Sequence, residues 1–556
     1  MAKRSVAQLI AEALARSGVQ WAFTVPGESF LGLLEALPAA GISVVATRHE
    51  GGAAFMAEAV GQLTGKPAAV LGTRAVGAAN MSIGIHTARQ NSTPMVALVG
   101  QVKRRYLGRE AFQETDLVAS FGRLAKWAAQ MDDAADAARM MGDALSAMLS
   151  GRPGPVLLSV PEDVLAETVT VGDKATAGVA AARPAPPEPS SVKAVVDLLA
   201  EAKRPAILAG GGVNAAGARD ALVRLSEQLE VPVFAAWRRP TVFPNDHAHY
   251  LGMTGYGAPA TVLPRLREAD ALLVVGSRLS EVATFEYRIP ARTTPWAHVD
   301  AEPGATVVRG RRKPAVAVAA DARDFLEAAV QMTADYSAPR ERVSALALDH
   351  QAYLDASTLD EGAEWRGPGV HPGRAITTLQ KVLAPDAILT TDAGNFALWP
   401  ARGFRFGRQS GFLGPTSGAM GYGLPAAIAA SLCEPDRQVV ALCGDGGVAM
   451  TMNELETAVR VGAKPTVLVF DNRRYGTIAM HQENEGRART ATELGSIDFA
   501  AVARACGAQG GRVARDVEFE PALRDALAAD RPALLHIEID PRWVSPDRLD
   551  SSNAGT

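Results

Sequence analysis

Asp445 and Asn472 are the residues whose neighbours best suit them to hold a metal ion together. An apolar run from Val439 to Cys443 ends in Gly-Asp-Gly-Gly, a helical stretch follows, and a second apolar run from Thr466 to Phe470 stops at Asp471-Asn472. This reads as strand, crossover helix and parallel strand. Such a unit opens the loops at both carboxyl ends into one crevice, where open α/β sheets take their ligands. A carboxylate and an amide oxygen suit a small hard cation such as Mg²⁺, which keeps its other positions for water and phosphate oxygens. Gly446 and Gly447 let backbone N–H groups approach those phosphates at a helix N-terminus. Asp-Gly after a strand is also an ordinary turn, so other parts of the chain must agree before the pattern means more.

Glu50, in TRHEGGAAFMAEA (47–59), is the second candidate. It follows the strand-like Val44–Ala46, opens a helix and has Gly51, Gly52, Ala53, Ala54 and Phe55 beside it. A carboxyl group in an apolar pocket can share or donate a proton near neutral pH. A carboxylate is equally at home at a helix N-terminus for electrostatic reasons alone.

Positioning these groups takes a large α/β scaffold. At 556 residues the chain exceeds a single core and implies several domains. Helix 5–17 and strands at Ala22–Val25, Val44–Ala46, Ala68–Leu71, Met95–Val99 and Val156–Ser159 alternate through a first domain, 1–174. Residues 175–192 are rich in Pro, Ala and Ser and read as a linker. A central domain, 192–345, has strands at Pro205–Leu208, Val231–Ala235, Ala271–Val275 and Ala297–Val299. Residues 346–370 connect it to a third domain, 371–541, and 542–556 reads as a tail, mobile or a lid. The βα alternation predicts three doubly wound parallel sheets. AGGG at 209–212 follows a strand but lacks the spacing and acidic partner of a dinucleotide turn.

A net charge of −4 with mixed signs gives no expectation of nucleic acid, and no apolar stretch reaches the roughly 18 residues that would predict a membrane span. The opening MAKRSVAQLIAEALARSGV is broken by Gln8, Glu12 and Arg16 at helical spacing, so it reads as an amphipathic helix rather than a signal peptide. Cys433, Cys443 and Cys506 form no CxxC pair, which argues against a disulfide framework or zinc site. A cytoplasmic enzyme is the expectation.

The GDGG…DN…YG pattern resembles the thiamine diphosphate (ThDP) motif, and RHEGGAAFMAEAVGQLTGKP resembles the activating-glutamate segment of the same enzymes. The chain is similar nearly end to end to their acetohydroxyacid synthase (acetolactate synthase) branch. The resemblance includes VPGESF (25–30), TARQNSTPMVALVGQV (87–102), EAFQETD (110–116), GRPGPVLLSVPEDV (151–164) and GPTSGAMGYGLPAAIAA (414–430). It implies pyrimidine-binding, central and diphosphate-binding domains in that order, and a homodimer or homotetramer with active sites between subunits. It implies Mg²⁺ on Asp445, Asn472 and the Arg474 carbonyl, and Glu50 activating the cofactor. Further cofactor contacts are implied at Pro26, Gly394, Asn395, Gly418, Gly446, Gly447, Tyr475 and Gly476, with Met420 as the apolar wedge that bends ThDP. A Met among glycines suits a wedge and suits a core equally. Phe112 and Gln113 match the substrate-side pair.

Four departures from the branch bear on substrate. His481 stands where synthases preferring a larger acceptor place a tryptophan, and Ile478 where simple decarboxylases place a protonating glutamate. Glu28, in PGES, replaces a small residue and has two readings, a proton relay or a helix-start carboxylate. Arg74, in GTRAVGAAN (72–80), also replaces a small residue, either to meet an anionic substrate or simply as surface. GMTGYGAP (252–259) and GSRLSE (276–281) loosely resemble flavin-contacting positions, so FAD or ADP in the central domain stays open. The implied activity decarboxylates a small 2-oxo acid, first of all pyruvate, and joins its acyl carbon to a second carbonyl. The alternatives are a 2-hydroxyacyl-CoA lyase, a 2-oxo acid decarboxylase and a non-catalytic ThDP-binding subunit.

Overall fold

Among the described residues, three six-stranded sheets, each parallel throughout and flanked by helices, are accompanied by two small antiparallel pairs, Ala2–Ser5 with Thr168–Val171 and Trp543–Ser545 with Arg548–Leu549. The computed structural model describes residues 2–171, 184–302, 313–362 and 365–550. Strand order in the first sheet is Ser43–Ala46, Trp21–Thr24, Ala68–Thr73, Met95–Gln101, Pro155–Pro161, Trp127–Gln130. The third runs Gly411–Leu413, Ile388–Thr391, Val439–Gly444, Thr466–Asp471, Ala533–Glu538, Gln509–Val513. In chain order both read 2-1-3-4-6-5, so the outer domains share one topology. The central sheet reads 3-2-1-4-5-6, from Tyr250–Met253 at one edge to Val316–Ala319 at the other. Their inner strands are near-continuous apolar runs because helices cover both faces.

Local sequence explains the elements that matter. Helix Val6–Arg16 starts at a capping box: the Ser5 hydroxyl accepts from the Gln8 N–H at 3.2 Å and the Gln8 side chain accepts from the Ser5 N–H at 2.9 Å. Helix Glu50–Thr64 ends at Gly65, left-handed with φ 70°. Its run of small residues lets it pack closely on helix Gly423–Cys433, and Phe55 meets Tyr422 edge-on at 5.4 Å. One apolar core therefore joins the first and third domains.

Three segments differ from the sequence reading. Helix Pro189–Glu201 begins inside the expected linker, with Pro189 at a first helical position, where a missing N–H costs nothing; residues 172–183 lie outside the described residues. Helix Arg340–Ser357 occupies much of the expected connection 346–370, anchored by Leu346 and Tyr353, two turns apart and both buried. The expected tail contains a hairpin, Trp543–Ser545 with Arg548–Leu549, pinned by an Arg402–Asp547 ion pair at 2.6 Å. Residues 551–556 lie outside the described residues.

Candidate active site

Strands Val439–Gly444 and Thr466–Asp471 are direct neighbours, with Gly444 in register with Phe470. Asp445 and Asn472 therefore leave adjacent strand ends into one cavity of about 340 Å³. Gly394 and Asn395 enter it from beyond Ile388–Thr391, the strand across the sheet's switch point. Gly418, Met420, Gly446, Gly447, Tyr475 and Gly476 line it, as do Arg474, Ile478 and His481.

Both glycines after Asp445 are needed where they stand. A Cβ on Gly446 would lie 2.6 Å from the Tyr475 ring, and one on Gly447 would lie 2.3 Å from the Asp392 carboxylate. Asn395 is buried and its amide oxygen accepts from the Thr477 hydroxyl at 2.6 Å, which ties the two loops together. The Asn472 amide oxygen accepts the Arg474 N–H at 3.1 Å, folding the loop so that the side chain and the Arg474 backbone come close. Gly418 is left-handed, φ 72°, with nothing within 4 Å of where a Cβ would project. Its backbone is open to a ligand. Met420 is half-buried beside it.

Two carboxylates, Asp445 and Asp471, set the electrostatics at this end of the cavity. Burial, then the charge of Asp471, pushes the Asp445 carboxyl up to about 7. Burial also acts to raise Asp471, but the His536 imidazole, 2.8 Å away, and the Arg473 N–H, 2.9 Å away, outweigh it and hold Asp471 below the usual range. Two buried carboxylates side by side are costly unless a positive charge offsets them. A hard dication on Asp445, Asn472 and a backbone carbonyl would do so.

Glu50 does not line this cavity, and neither do Pro26, Glu28, Phe112 or Gln113. Glu50 is half-buried at the start of its helix, accepting from the Asn80 side chain at 2.9 Å. Around it, helix Arg74–Asn91 exposes Val76 (48%) and Ile83 (43%) on the face that carries Asn80. Glu28 and Phe112 are exposed, and Gln113 is half-buried with its side-chain oxygen lacking a partner.

Several cavity residues escaped the sequence reading. Asp471, which ends its strand next to Asn472, lies behind the lining and acts on Asp445 through its charge. Trp237, Arg238 and Tyr256 from the central domain and Trp543 from the terminal hairpin carry no local signal. The AGGG turn is closed: Cβ atoms on Gly210 and Gly212 would meet Gly276 at 2.3 and 2.7 Å, and one on Gly211 would meet Arg239 at 2.8 Å. These glycines serve the packing of two turns.

Family models described as thiamine pyrophosphate enzyme, N-terminal TPP binding domain, central domain and C-terminal TPP binding domain match residues 4–120, 192–329 and 392–537. The acetolactate synthase large subunit of Parasynechococcus marenigrum is 32% identical over 551 residues, covering 96% of this chain and 87% of that protein. Acetolactate synthase isozyme 2 large subunit of Escherichia coli is 30% identical, covering 96% and 95%. The chloroplastic acetolactate synthase of Arabidopsis thaliana is 30% identical, covering 96% and 81%. With all three domain models matched in order on three parallel-sheet domains, this chain is an enzyme of the thiamine pyrophosphate family and belongs to it along nearly its whole length.

Proposed function

We propose that the chain decarboxylates a small 2-oxo acid, pyruvate first of all, and ligates the acyl carbon to a second carbonyl, as an acetolactate synthase-like carboligase. The observation that carries this reading is the convergence of Asp445, Asn472 and the Arg474 backbone on a glycine-lined cavity, in a chain that keeps Glu50. Binding alone needs the cradle; an activating acid has a use only in catalysis.

Asp445, the Asn472 amide oxygen and the Arg474 carbonyl would hold Mg²⁺, and Gly446, Gly447, Gly394 and Asn395 would receive the diphosphate. Met420 would support the cofactor from below, with the Gly418 carbonyl beside it and Tyr475 and Gly476 closing the loop. Bound thiamine diphosphate supplies a nucleophilic carbon and an electron sink for the carboxylate's departure. Glu50 would hold the proton that the cofactor's pyrimidine exchanges, a role favoured by an apolar enclosure. Ile478 and His481, on helix Gly476–Asn484, line the cavity and would shape its substrate end. Ile478 offers no proton there, which favours ligation over release of free aldehyde. Phe112, Gln113 and Glu28 complete the substrate side, and Pro26 the cofactor side.

Since Glu50 does not line the cradle of its own chain and lies on an open, partly apolar face, a second copy completes each site. The reading is therefore of a homodimer or homotetramer with intersubunit active sites. All three cysteines are free, which fits a cytoplasmic setting; no described helix is long and apolar enough to cross a membrane. No nucleotide is assigned to the central domain.

The test is product analysis by NMR after incubating the protein with ThDP, Mg²⁺ and ¹³C-pyruvate, alone and with aldehydes and 2-oxo acids, beside a Glu50→Gln control. Labelled acetolactate or a mixed 2-hydroxy ketone, absent in the control, is the expected result. Inert pyruvate, with cleavage of a 2-hydroxyacyl-CoA instead, would overturn it.

A further inference from the structure

We propose that Arg74 is a positioning and charge-balancing residue that fits the first domain's loops to an anionic substrate, an inference that rests on the functional reading above. Glu28 and Arg74 follow strands Trp21–Thr24 and Ala68–Thr73, the neighbours between which the first sheet's order reverses. That is the ligand-binding crevice of an open α/β sheet, the counterpart of the cradle in the third domain.

Arg74 Nη1 lies 3.1 Å from the Glu28 carboxylate and Nη2 3.5 Å from Glu162, whose other oxygen is 3.5 Å from Lys103 Nζ. Two cations and two carboxylates alternate in one chain of contacts, so the cluster is neutral only while Arg74 is present. The Arg74 side chain is 10% exposed and that of Glu28 58%. The buried guanidinium thus presents an otherwise solvated carboxylate.

The same residue holds the substrate-side pair. Arg74 Nη1 donates to the Phe112 carbonyl at 3.4 Å, the guanidinium carbon is 5.9 Å from the Phe112 ring centre, and the Ala75 N–H donates to the Gln113 carbonyl at 3.1 Å. Arg74 and Gln113 both take left-handed backbone, φ 43° and 63°. Two non-glycine residues in that conformation, on segments tied together by the Ala75–Gln113 and Arg74–Phe112 hydrogen bonds, are strain of the kind that gathers at functional sites. Gly27 is forced by the same packing: a Cβ there would lie 2.1 Å from the Thr73 hydroxyl, which also meets the Ser29 hydroxyl at 2.8 Å.

Without Arg74, Lys103 still meets Glu162 but Glu28 is left without its cation, so the cluster carries a net negative charge that opposes an entering carboxylate. The effect should therefore fall on an anionic donor and spare a neutral acceptor. A purely structural role would disturb both.

The experiment compares wild type, Arg74→Ala, Arg74→Lys and the double variant Arg74→Ala/Glu28→Gln as ThDP–Mg²⁺ holoenzymes. It measures KM for pyruvate and for a neutral aldehyde acceptor. By calorimetry it measures Kd for acetylphosphonate monomethyl ester, an anionic mimic of pyruvate that cannot lose CO₂. Arg74→Ala is expected to raise KM for pyruvate and Kd for the mimic about tenfold, with the aldehyde KM within about twofold. Removing the Glu28 charge in the double variant should recover about threefold of the loss. Arg74→Lys should hold Kd within about threefold yet lower kcat, because a single ammonium cannot fork between two carboxylates. Unchanged donor values in Arg74→Ala, or equal losses for donor and acceptor, would overturn the proposal. If wild type binds the mimic but leaves pyruvate unreacted, the functional reading falls and the Kd ratio alone decides Arg74. If it binds no mimic, both fall.

Discussion

Asp445 follows the strand Val439–Gly444 and Asp471 ends its neighbour Thr466–Asp471; His536 holds the Asp471 carboxylate low, while burial and then the Asp471 charge push the Asp445 carboxyl up to about 7. A binding site held in this state is less stable empty than filled. Asp445→Asn should therefore raise the melting temperature of the cofactor-free chain, since it removes a buried charge. The same substitution should abolish the further rise that ThDP with Mg²⁺ gives wild type. Differential scanning fluorimetry reads both; a full ligand-dependent rise in the variant would remove Asp445 from the cradle.

Glu50→Gln keeps the size of the side chain and its contact with Asn80 but cannot exchange a proton. Turnover should fall roughly 10²- to 10⁴-fold, the usual worth of a general acid–base group. The affinity for ThDP, measured by calorimetry, should stay within about threefold. Equal loss of binding and turnover would make Glu50 structural.

Mixing tests whether sites span two chains. Glu50→Gln and Asp445→Asn chains are each expected to be inactive as pure oligomers. Unfolded and refolded together at equal amounts, half the dimers should be hybrids with one intact site of two, giving about a quarter of wild-type activity. An inactive mixture of proven hybrids would confine each site to one chain.

His249 sets an acid limit on stability in the central domain. Burial, and then the neighbouring His247, lowers its imidazole from 6.5 to about 4. Glu230, 3.2 Å from the ring, does not reverse this because burial raises Glu230 itself. Between pH 6.5 and about 4 the unfolded chain binds a proton that the folded chain refuses, so stability is present above that window and lost as pH falls through it. His249→Gln should flatten the drop in thermal midpoint between pH 7 and 5, approximately. An unchanged slope would assign the acid sensitivity elsewhere.

What the sequence carried was local. Apolar runs gave the inner strands, and Asp445 and Asn472 met because a right-handed crossover leaves little choice about where two successive strand ends open. Glu50 opened its helix as its glycine and alanine neighbours suggested. What it did not carry was long-range. Asp445, Asp471 and His536 come from separate stretches of the third domain, and the Arg74–Glu28–Glu162 contacts join the starts of three helices, so neither leaves a periodic trace. Helix Arg340–Ser357 presents a charged, weakly amphipathic face and hid inside a supposed connection. The terminal hairpin was read as a tail because its few residues are polar, yet Trp543 packs on His371 at 4.6 Å and Trp365 at 5.4 Å.

That packing has an optical consequence. Trp237, Trp399 and Trp543 line the same cavity and account for three of the chain's seven indoles. Each comes from a different stretch of chain, so one cationic aromatic guest entering there perturbs emission from all three at once. The protein carries its own titration signal, and the filling of this cavity can be followed in real time without a label.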